Sequence, residues 1–287
     1  MFKEHKDHIN EWFEEYFKNK GTHEKIIYDA MEYSIVNGGK RIRPILMMLV
    51  YDMYKEDVNE VMPFACALEM IHAYSLIHDD LPCMDDDDLR RGKPTNHKVF
   101  GEAIAVLAGD CLLNEAFNIM LKEVVKEPSK ARAAEFIGNK AGVKGMIGGQ
   151  VVDIISEGRQ ISKEELDFIH LNKTAALIEA AIVAGAMLGE APKEEIKLLN
   201  DFAIKLGLAF QIKDDILDVI GNEEKLGKKI NSDAEKEKNT YVKLFDVEKC
   251  EKIAEELTDK CFDLLNKVSR NTENLQKLTQ FLLDRDF

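Results

Sequence analysis

Apolar residues recur every three to four positions along almost the whole chain, and strand-like alternation is nearly absent, so the pattern predicts helices throughout. Thr22 is placed to N-cap a helix that stops at Gly38-Gly39, where glycine tolerates the turn that ends a helix. A second helix is predicted over 41–54. Pro63 suits the first turn of a third, whose apolar stripe Leu68, Ile71, Leu76 runs toward Asp79. Residues 101–125 read as a mostly apolar, buried helix. Further helices are predicted over 129–156, 162–188, 193–220, 247–268 and 272–283. Ser162 with Glu165 forms a capping box. The stretch 221–240, rich in Lys, Asn, Glu and Asp, is the expected mobile loop. No linker, repeat or low-complexity tract divides the chain. Residues 1–287 therefore read as one all-α domain, a bundle of roughly ten or more helices around a deep central cavity.

Composition narrows the class. Seventeen glycines and six prolines are few for a turn-rich sheet protein. Apolar residues make up 45% and charged residues 32%, enough to bury a core and stay soluble. No apolar run approaches the length of a membrane span, and the N-terminus lacks a signal-peptide core. Five cysteines without paired spacing argue for reduced thiols and a cytoplasmic protein. The net charge of −14 makes nucleic acid an unsuitable partner for the surface at large.

The acid is concentrated. Asp79, Asp80, Asp85, Asp86, Asp87 and Asp88 fall within ten residues, at the end of an apolar helix that Pro82 interrupts. Carboxylates this dense repel one another unless a cation sits between them. An EF-hand is excluded, because Leu89 and Arg90 occupy its ligand and glycine positions. Carboxylate oxygens in this number suit a hard ion, Mg2+ first. Regular helical spacing would put Asp86, not Asp85, on the face of Asp79, but Pro82 breaks the regularity and spacing does not choose. A second cluster, Gln211, Asp214, Asp215 and Asp218, falls at i, i+3, i+4 and i+7, one polar stripe of a helix. Such a stripe reads equally as a solvated face. Two acidic clusters in one helical protein favour Mg2+ ions that bridge to a diphosphate.

Cations are clustered too. Lys40, Arg41 and Arg43 follow a glycine pair, and Arg90, Arg91 and Lys93 follow the acidic run. Arginine suits bidentate phosphate contacts, and lysine acts as a point charge. Lys228, Lys229 and Lys238 in the polar loop are placed to close over a phosphate. Lys173-Thr174 lies inside an apolar helix, and His72 shares the face of Asp79 seven residues on. Glycines 138, 142, 145, 148 and 149 imply close helix packing or a kink near Gln150.

Residues 78–92, running His-Asp-Asp-Leu-Pro-Cys-Met-Asp-Asp-Asp-Asp-Leu-Arg-Arg-Gly, and 214–218, Asp-Asp-Ile-Leu-Asp, resemble the two aspartate-rich motifs of the trans-polyprenyl diphosphate synthases. The resemblance covers nearly the whole chain, and no motif is broken. It is closest to the bacterial farnesyl diphosphate synthases, whose first motif carries a two-residue insert, here Pro82-Cys83. The resemblance implies the all-α isoprenoid synthase fold, a homodimer, and head-to-tail prenyl transfer onto isopentenyl diphosphate. It implies Mg2+, three ions per site, with Mn2+ as a substitute. Asp79 and Asp85 would hold two of them and Asp214 the third; it leaves open whether Asp80, Asp86, Asp215 and Asp218 ligate directly or through water. Lys40, Arg43, His72 and Arg91 would grip isopentenyl diphosphate. Arg90, Lys173, Lys228 and Lys238, with Thr174 and Gln211, would surround the allylic diphosphate. Lys173, Thr174 and Gln211 would also turn oxygens toward the forming cation. Tyr74, five residues before Asp79, reads by spacing as either a core aromatic or a cavity floor, with small Ser75 beside it. By resemblance an aromatic here stops the product at fifteen carbons, giving farnesyl diphosphate; a geranylgeranyl or longer-chain synthase is the alternative.

Rival readings fare worse. A terpene cyclase needs no second diphosphate site, and the basic cluster at 38–43 argues against it. A non-catalytic regulatory subunit should have lost aspartates, and none is missing. A plain Mg2+ or Ca2+ buffer would not need Lys173.

Overall fold

The computed structural model describes residues 2–220 and 238–284. By backbone contacts they gather into two compact units, residues 1–48 with 57–134, and residues 49–56 with 135–287. Helices dominate both, as the periodicity predicts.

The first unit opens with α1 (Lys3–Phe17), a helix the sequence reading missed although Ile9, Phe13 and Phe17 lie buried at four-residue spacing. Helix α2 (Lys25–Val36) starts later than expected, because Thr22 does not cap it; the Thr22 hydroxyl donates instead to Glu24. After Gly38-Gly39 comes α3 (Ile42–Asp52), then α4 (Met62–Asp79) with Pro63 in its first turn. Helix α4 is buried on every side, as expected of one apolar all round. A two-residue hairpin, β1 (Leu89–Arg90) and β2 (Lys93–Pro94), escaped the helical reading. Arg91 and Gly92 between them both have positive φ, the signature of a type I′ turn. The unit continues through α5 (Asn96–Phe100) and α6 (Glu102–Lys126), which packs along α4. Helix α6 is only half-buried: Val106, Leu107, Leu121 and Val125 are exposed, against the expectation of a buried helix.

The helix expected over 129–156 is two helices, α7 (Ala131–Ala141) and α8 (Met146–Ile155), broken at Gly142–Gly145 and not near Gln150, which lies inside α8. In the second unit the helix expected over 162–188 runs on, but not as a regular α-helix. It comprises α9 (Lys163–Ile169), a π-helical turn (His170–Thr174) and α10 (Ala175–Leu188). The capping box at Ser162 and Glu165 is formed in both directions. Helix α11 (Lys193–Ile220) matches its predicted range. After the undescribed 221–237 come α12 (Tyr241–Leu244), α13 (Val247–Leu265) and α14 (Glu273–Leu283). A buried apolar cluster of Leu166, Ile169, Ile212, Ile216 and Tyr241 joins α9, α11 and α12.

Two helical stretches, Glu102–Lys126 and Lys163–Leu188, are long and apolar enough to cross a membrane, where the sequence reading expected none. For the second, 72% of its most apolar window is buried within the fold. All five cysteines are free thiols, of which only Cys83 is exposed.

Candidate active site

The first unit holds a pocket lined by Glu69, His72, Arg90 and Arg91 among others, between α2, α4 and the hairpin. The hairpin is strapped to the end of α2. Tyr33 donates to the Pro94 carbonyl at 2.7 Å, Lys93 Nζ to Asn37 Oδ1 at 2.9 Å, and Arg91 Nη1 to the Gly38 carbonyl. Gly39, at φ 135°, is required here. A Cβ at this position would sit 2.8 Å from Arg91 Nη1, closer than real side chains approach, in a conformation that favours glycine. Arg43 Nη1 lies 3.3 Å from His72 Nε2, and Lys40 is exposed. Of the residues expected to grip isopentenyl diphosphate, the pocket wall thus gathers His72 and Arg91, and Arg43 joins through His72.

Two arginines of this pocket are engaged by buried carboxylates. Arg90 donates to both oxygens of Asp80 at 2.5–2.9 Å, and Asp80 is 3% exposed. Arg41, with φ 52°, turns inward. It donates to Glu69 at 2.8 Å, to the Ile35 carbonyl at 2.6 Å and to Asn10 at 3.2 Å. The sequence reading grouped Arg41 with Lys40 and Arg43 and passed over Glu69. The signal for it was a lone carboxylate in the apolar run of α4, since a buried charge needs a partner.

Burial first, then Arg43, Arg91, Arg90 and Arg41, holds the His72 imidazole well below the ordinary histidine range. An unfolded chain takes up a proton near pH ~6.5 that folded His72 refuses, so this stability is present above that pH and is lost below it. The urea midpoint should fall on acidification, and fall less for His72→Gln, which has no proton to gain. Equal slopes for the two proteins would assign the loss to other groups.

The acidic run is folded into two roles. The Asp85 N–H donates to the Asp79 carbonyl at 2.9 Å, so the chain loops out through Pro82-Cys83 and returns Asp85 to the end of α4. Asp86, at φ 49°, donates its N–H to the Leu81 carbonyl instead and is exposed. This closure selects Asp85 as the backbone neighbour of Asp79, a choice spacing left open. Asp79 and Asp85 are half-buried.

The second unit has its own polar pocket, lined by Asp153, Lys173, Thr174, Gln211, Asp215 and Lys238 among others. The π-helical turn places Lys173 and Thr174 there; such turns insert one extra residue into a helix and recur at functional sites. Gly149 lets α8 approach this turn, because a Cβ on it would lie 2.2 Å from the Lys173 nitrogen. Lys173 Nζ donates to Asp153 at 2.6 Å. Asp153, buried on α8, was not found from the sequence. Thr174 donates to Gln211 Oε1 at 2.7 Å. Asp214 is half-buried, whereas Asp215 and Asp218 are both 2% exposed. Lys228 lies outside the described residues.

The donor set fits Mg2+. Among the described residues no three His, Cys, Asp or Glu side chains converge on one point. Mg2+ normally takes a few carboxylates and completes its shell with waters and substrate phosphates. Asp80 is held by Arg90; Asp79 and Asp85 of the first motif and Asp214 of the second are half-buried.

An all-α chain with two aspartate-rich motifs and a basic pocket is of the prenyl diphosphate synthase class. Residues 24–282 match the polyprenyl synthetase family, and the chain belongs to it. It is 46% identical over 260 residues to farnesyl diphosphate synthase of Bacillus subtilis (strain 168), covering 90% of this chain and 88% of the relative. It is 50% identical over 215 residues to farnesyl diphosphate synthase of Geobacillus stearothermophilus, covering 74% and 72%. Its structure is similar to that of geranylgeranyl pyrophosphate synthetase from Pyrococcus horikoshii Ot3, with a TM-score of 0.88 at 30% identity, covering 99% and 97%.

Arg91→Lys should not be conservative, since a point charge replaces a planar fork. KM for isopentenyl diphosphate should rise about tenfold or more, and KM for the allylic substrate less, as loss of a charged hydrogen bond implies. Initial-rate kinetics decide; an equal or reversed effect would reassign Arg91.

Proposed function

We propose that the chain condenses isopentenyl diphosphate head-to-tail with dimethylallyl and then geranyl diphosphate, giving farnesyl diphosphate. The observation that carries this reading is on α4. His72, beside the basic pocket, and Asp79, at the first aspartate motif, lie seven residues or about 10.5 Å apart along one helix face. An anion grip and a metal site on one rod suit two diphosphates that must react at their carbon ends.

In the reaction the allylic carbon–oxygen bond breaks and its electron pair leaves with the diphosphate. The isopentenyl double bond supplies the pair for the new carbon–carbon bond, and a proton then leaves the adjacent carbon. The released diphosphate is the acceptor, as the resemblance to the family implies. Mg2+, three ions held by Asp79, Asp85 and Asp214 and replaceable by Mn2+, would neutralise charge on the leaving diphosphate. Lys40, Arg43, His72 and Arg91 bind isopentenyl diphosphate. Burial and the neighbouring arginines favour the neutral His72 imidazole, and the arginines and Lys40 supply the positive charge. Arg90, Lys173, Lys228 and Lys238 bind the allylic diphosphate. Asp153 holds Lys173, and Asp80 holds Arg90, in fixed rotamers; preorganised charge stabilises a developing anion without moving when it forms. Thr174 turns an oxygen lone pair to the cation while Gln211 accepts its hydroxyl proton, and apolar side chains exclude water that would quench it.

We read 1–287 as one catalytic domain, which the family match across both compact units supports. A cytoplasmic homodimer is the further reading, supported by the free thiols and by the apolar row on α6. Sedimentation at twice 32.6 kDa would accord with it, and a monomer would overturn it.

Incubation with isopentenyl diphosphate and each allylic primer, followed by product-length analysis, tests the function. Fifteen-carbon product is expected with Mg2+ and none after chelation. Turnover in EDTA would overturn the metal-assisted mechanism, and a main product of twenty carbons the chain-length reading.

A further inference from the structure

In the second aspartate motif both oxygens of Asp215 are held by the protein itself. Asp215 is 2% exposed. Its Oδ1 accepts from Gln211 Nε2 at 3.0 Å, and its Oδ2 accepts from His170 Nε2 at 3.2 Å and from the Tyr241 N–H at 2.8 Å. These donors come from α11, from the π-helical turn and from the first residue of α12. The His170 ring is stacked on Tyr241, 5.4 Å between centroids, and the Tyr241 hydroxyl donates to Asp167 on α9.

This arrangement determines which way Gln211 points. Its amide nitrogen must face Asp215, because the reverse would oppose an amide oxygen to a carboxylate. Its oxygen therefore faces Thr174, whose hydroxyl donates to it at 2.7 Å. A threonine hydroxyl has one proton and two lone pairs. With the proton committed to Gln211, the lone pairs of Thr174 Oγ1 are left for the pocket it lines with Lys173. Each dipole in the series Thr174, Gln211, Asp215 has its positive end toward the carboxylate, and such chains polarise one another. The π-helical turn makes this possible, since it brings both His170 and Thr174 to the Asp215–Gln211 edge of α11.

We infer that Asp215 is a positioning residue and not a metal ligand: through Gln211 it fixes the Thr174 hydroxyl so that an oxygen lone pair faces the allylic carbon as it becomes cationic. The inference rests on the prenyl-transfer reading for its effect on rate, but its statement about metal does not.

Three variants test it: Asp215→Asn, Gln211→Glu, which sets a second carboxylate against Asp215, and Asp214→Asn as the metal-site comparison. With Mn2+ and inorganic diphosphate as probes, electron paramagnetic resonance should give Asp215→Asn the wild-type Mn2+ affinity within about twofold, and Asp214→Asn an affinity at least about tenfold weaker. In steady-state assays Asp215→Asn and Gln211→Glu should each lower kcat by about a hundredfold, the size of one lost preorganised dipole. KM for both diphosphates should move by less than about threefold, and the double variant should be no slower than the worse single one, as for residues acting as a unit. A weakened Mn2+ affinity in Asp215→Asn would make it a ligand and overturn the inference. So would an unchanged kcat, or losses that multiply in the double variant. Should Asp215→Asn fail to fold, Gln211→Glu alters only a half-buried pocket residue, and a normal kcat there overturns the inference equally. A wild type that binds Mn2+ with diphosphate but transfers no prenyl group would overturn the functional reading and leave the metal comparison to decide Asp215.

Discussion

Asp79→Ala and Asp214→Ala should each lower kcat by about a thousandfold or more at saturating Mg2+, because each removes charge stabilisation made in the transition state. The fold should survive. Asp79 is the last residue of α4, where the helix dipole already presents negative charge to a carboxylate. It also lies in a run of six aspartates. Attraction to Arg90 works against both effects, so Asp79→Ala should unfold within about 1 kcal/mol of wild type. Asp80→Ala should cost more. It strips a buried partner from Arg90 and should lower the melting temperature as well as the rate. Circular dichroism melts beside initial-rate assays separate the two residues. A near-normal kcat in Asp79→Ala or Asp214→Ala would remove that aspartate from the proposed metal site.

Tyr74→Ala should lengthen the product to twenty carbons or more. Tyr74 lies on α4 about 7.5 Å before Asp79, at 1.5 Å per residue. Its ring is buried and meets His78 edge-on, 5.8 Å between centroids. Burial pushes its hydroxyl up to about 12, and the buried oxygen has no hydrogen-bond partner among the described residues. On the chain-length reading the ring, not the hydroxyl, would therefore be the blocking group. Tyr74→Phe should keep the fifteen-carbon product and lose no stability, since it deletes an unsatisfied polar atom. Tyr74→Ala opens space and should cost about 3–5 kcal/mol, as for other buried aromatics, while leaving ionisation intact. Product chromatography reads the result. Active Tyr74→Ala that still stops at fifteen carbons would put the floor elsewhere, with Leu112 and Cys111 on α6 next to be tested.

What was legible in the sequence was local or periodic. The capping box at Ser162 needs only residues three apart, and α11 needs only its apolar spacing. Periodicity also put Gln211, Asp214, Asp215 and Asp218 on one stripe, but a stripe does not say which of its members meets solvent. Asp215 is buried because His170, 45 residues away, packs against it, and no local rule carries that contact. Arg41 was hidden for a similar reason. Between Lys40 and Arg43 it reads as one more surface cation, whereas its positive φ turns it toward Glu69 on another helix. That Asp85 rather than Asp86 returns to the Asp79 carbonyl depends on a turn around Pro82, for which helical spacing is the wrong ruler. The π-helical turn left no trace, because α10 is apolar all round and an apolar ring looks alike in either register.

That turn has a consequence at the level of the gene. An α-helix advances about 100° per residue, and the π-helical turn accommodates one residue more than an α-helical path would. Loss of a single codon between 170 and 172 would let α9 and α10 join as an unbroken helix. The helices on either side would keep their register, and only side chains carried on the bulge itself, Lys173 and Thr174 among them, would be re-aimed. At this place a lineage could lose its chemistry through one in-frame deletion while retaining a folded, helical protein.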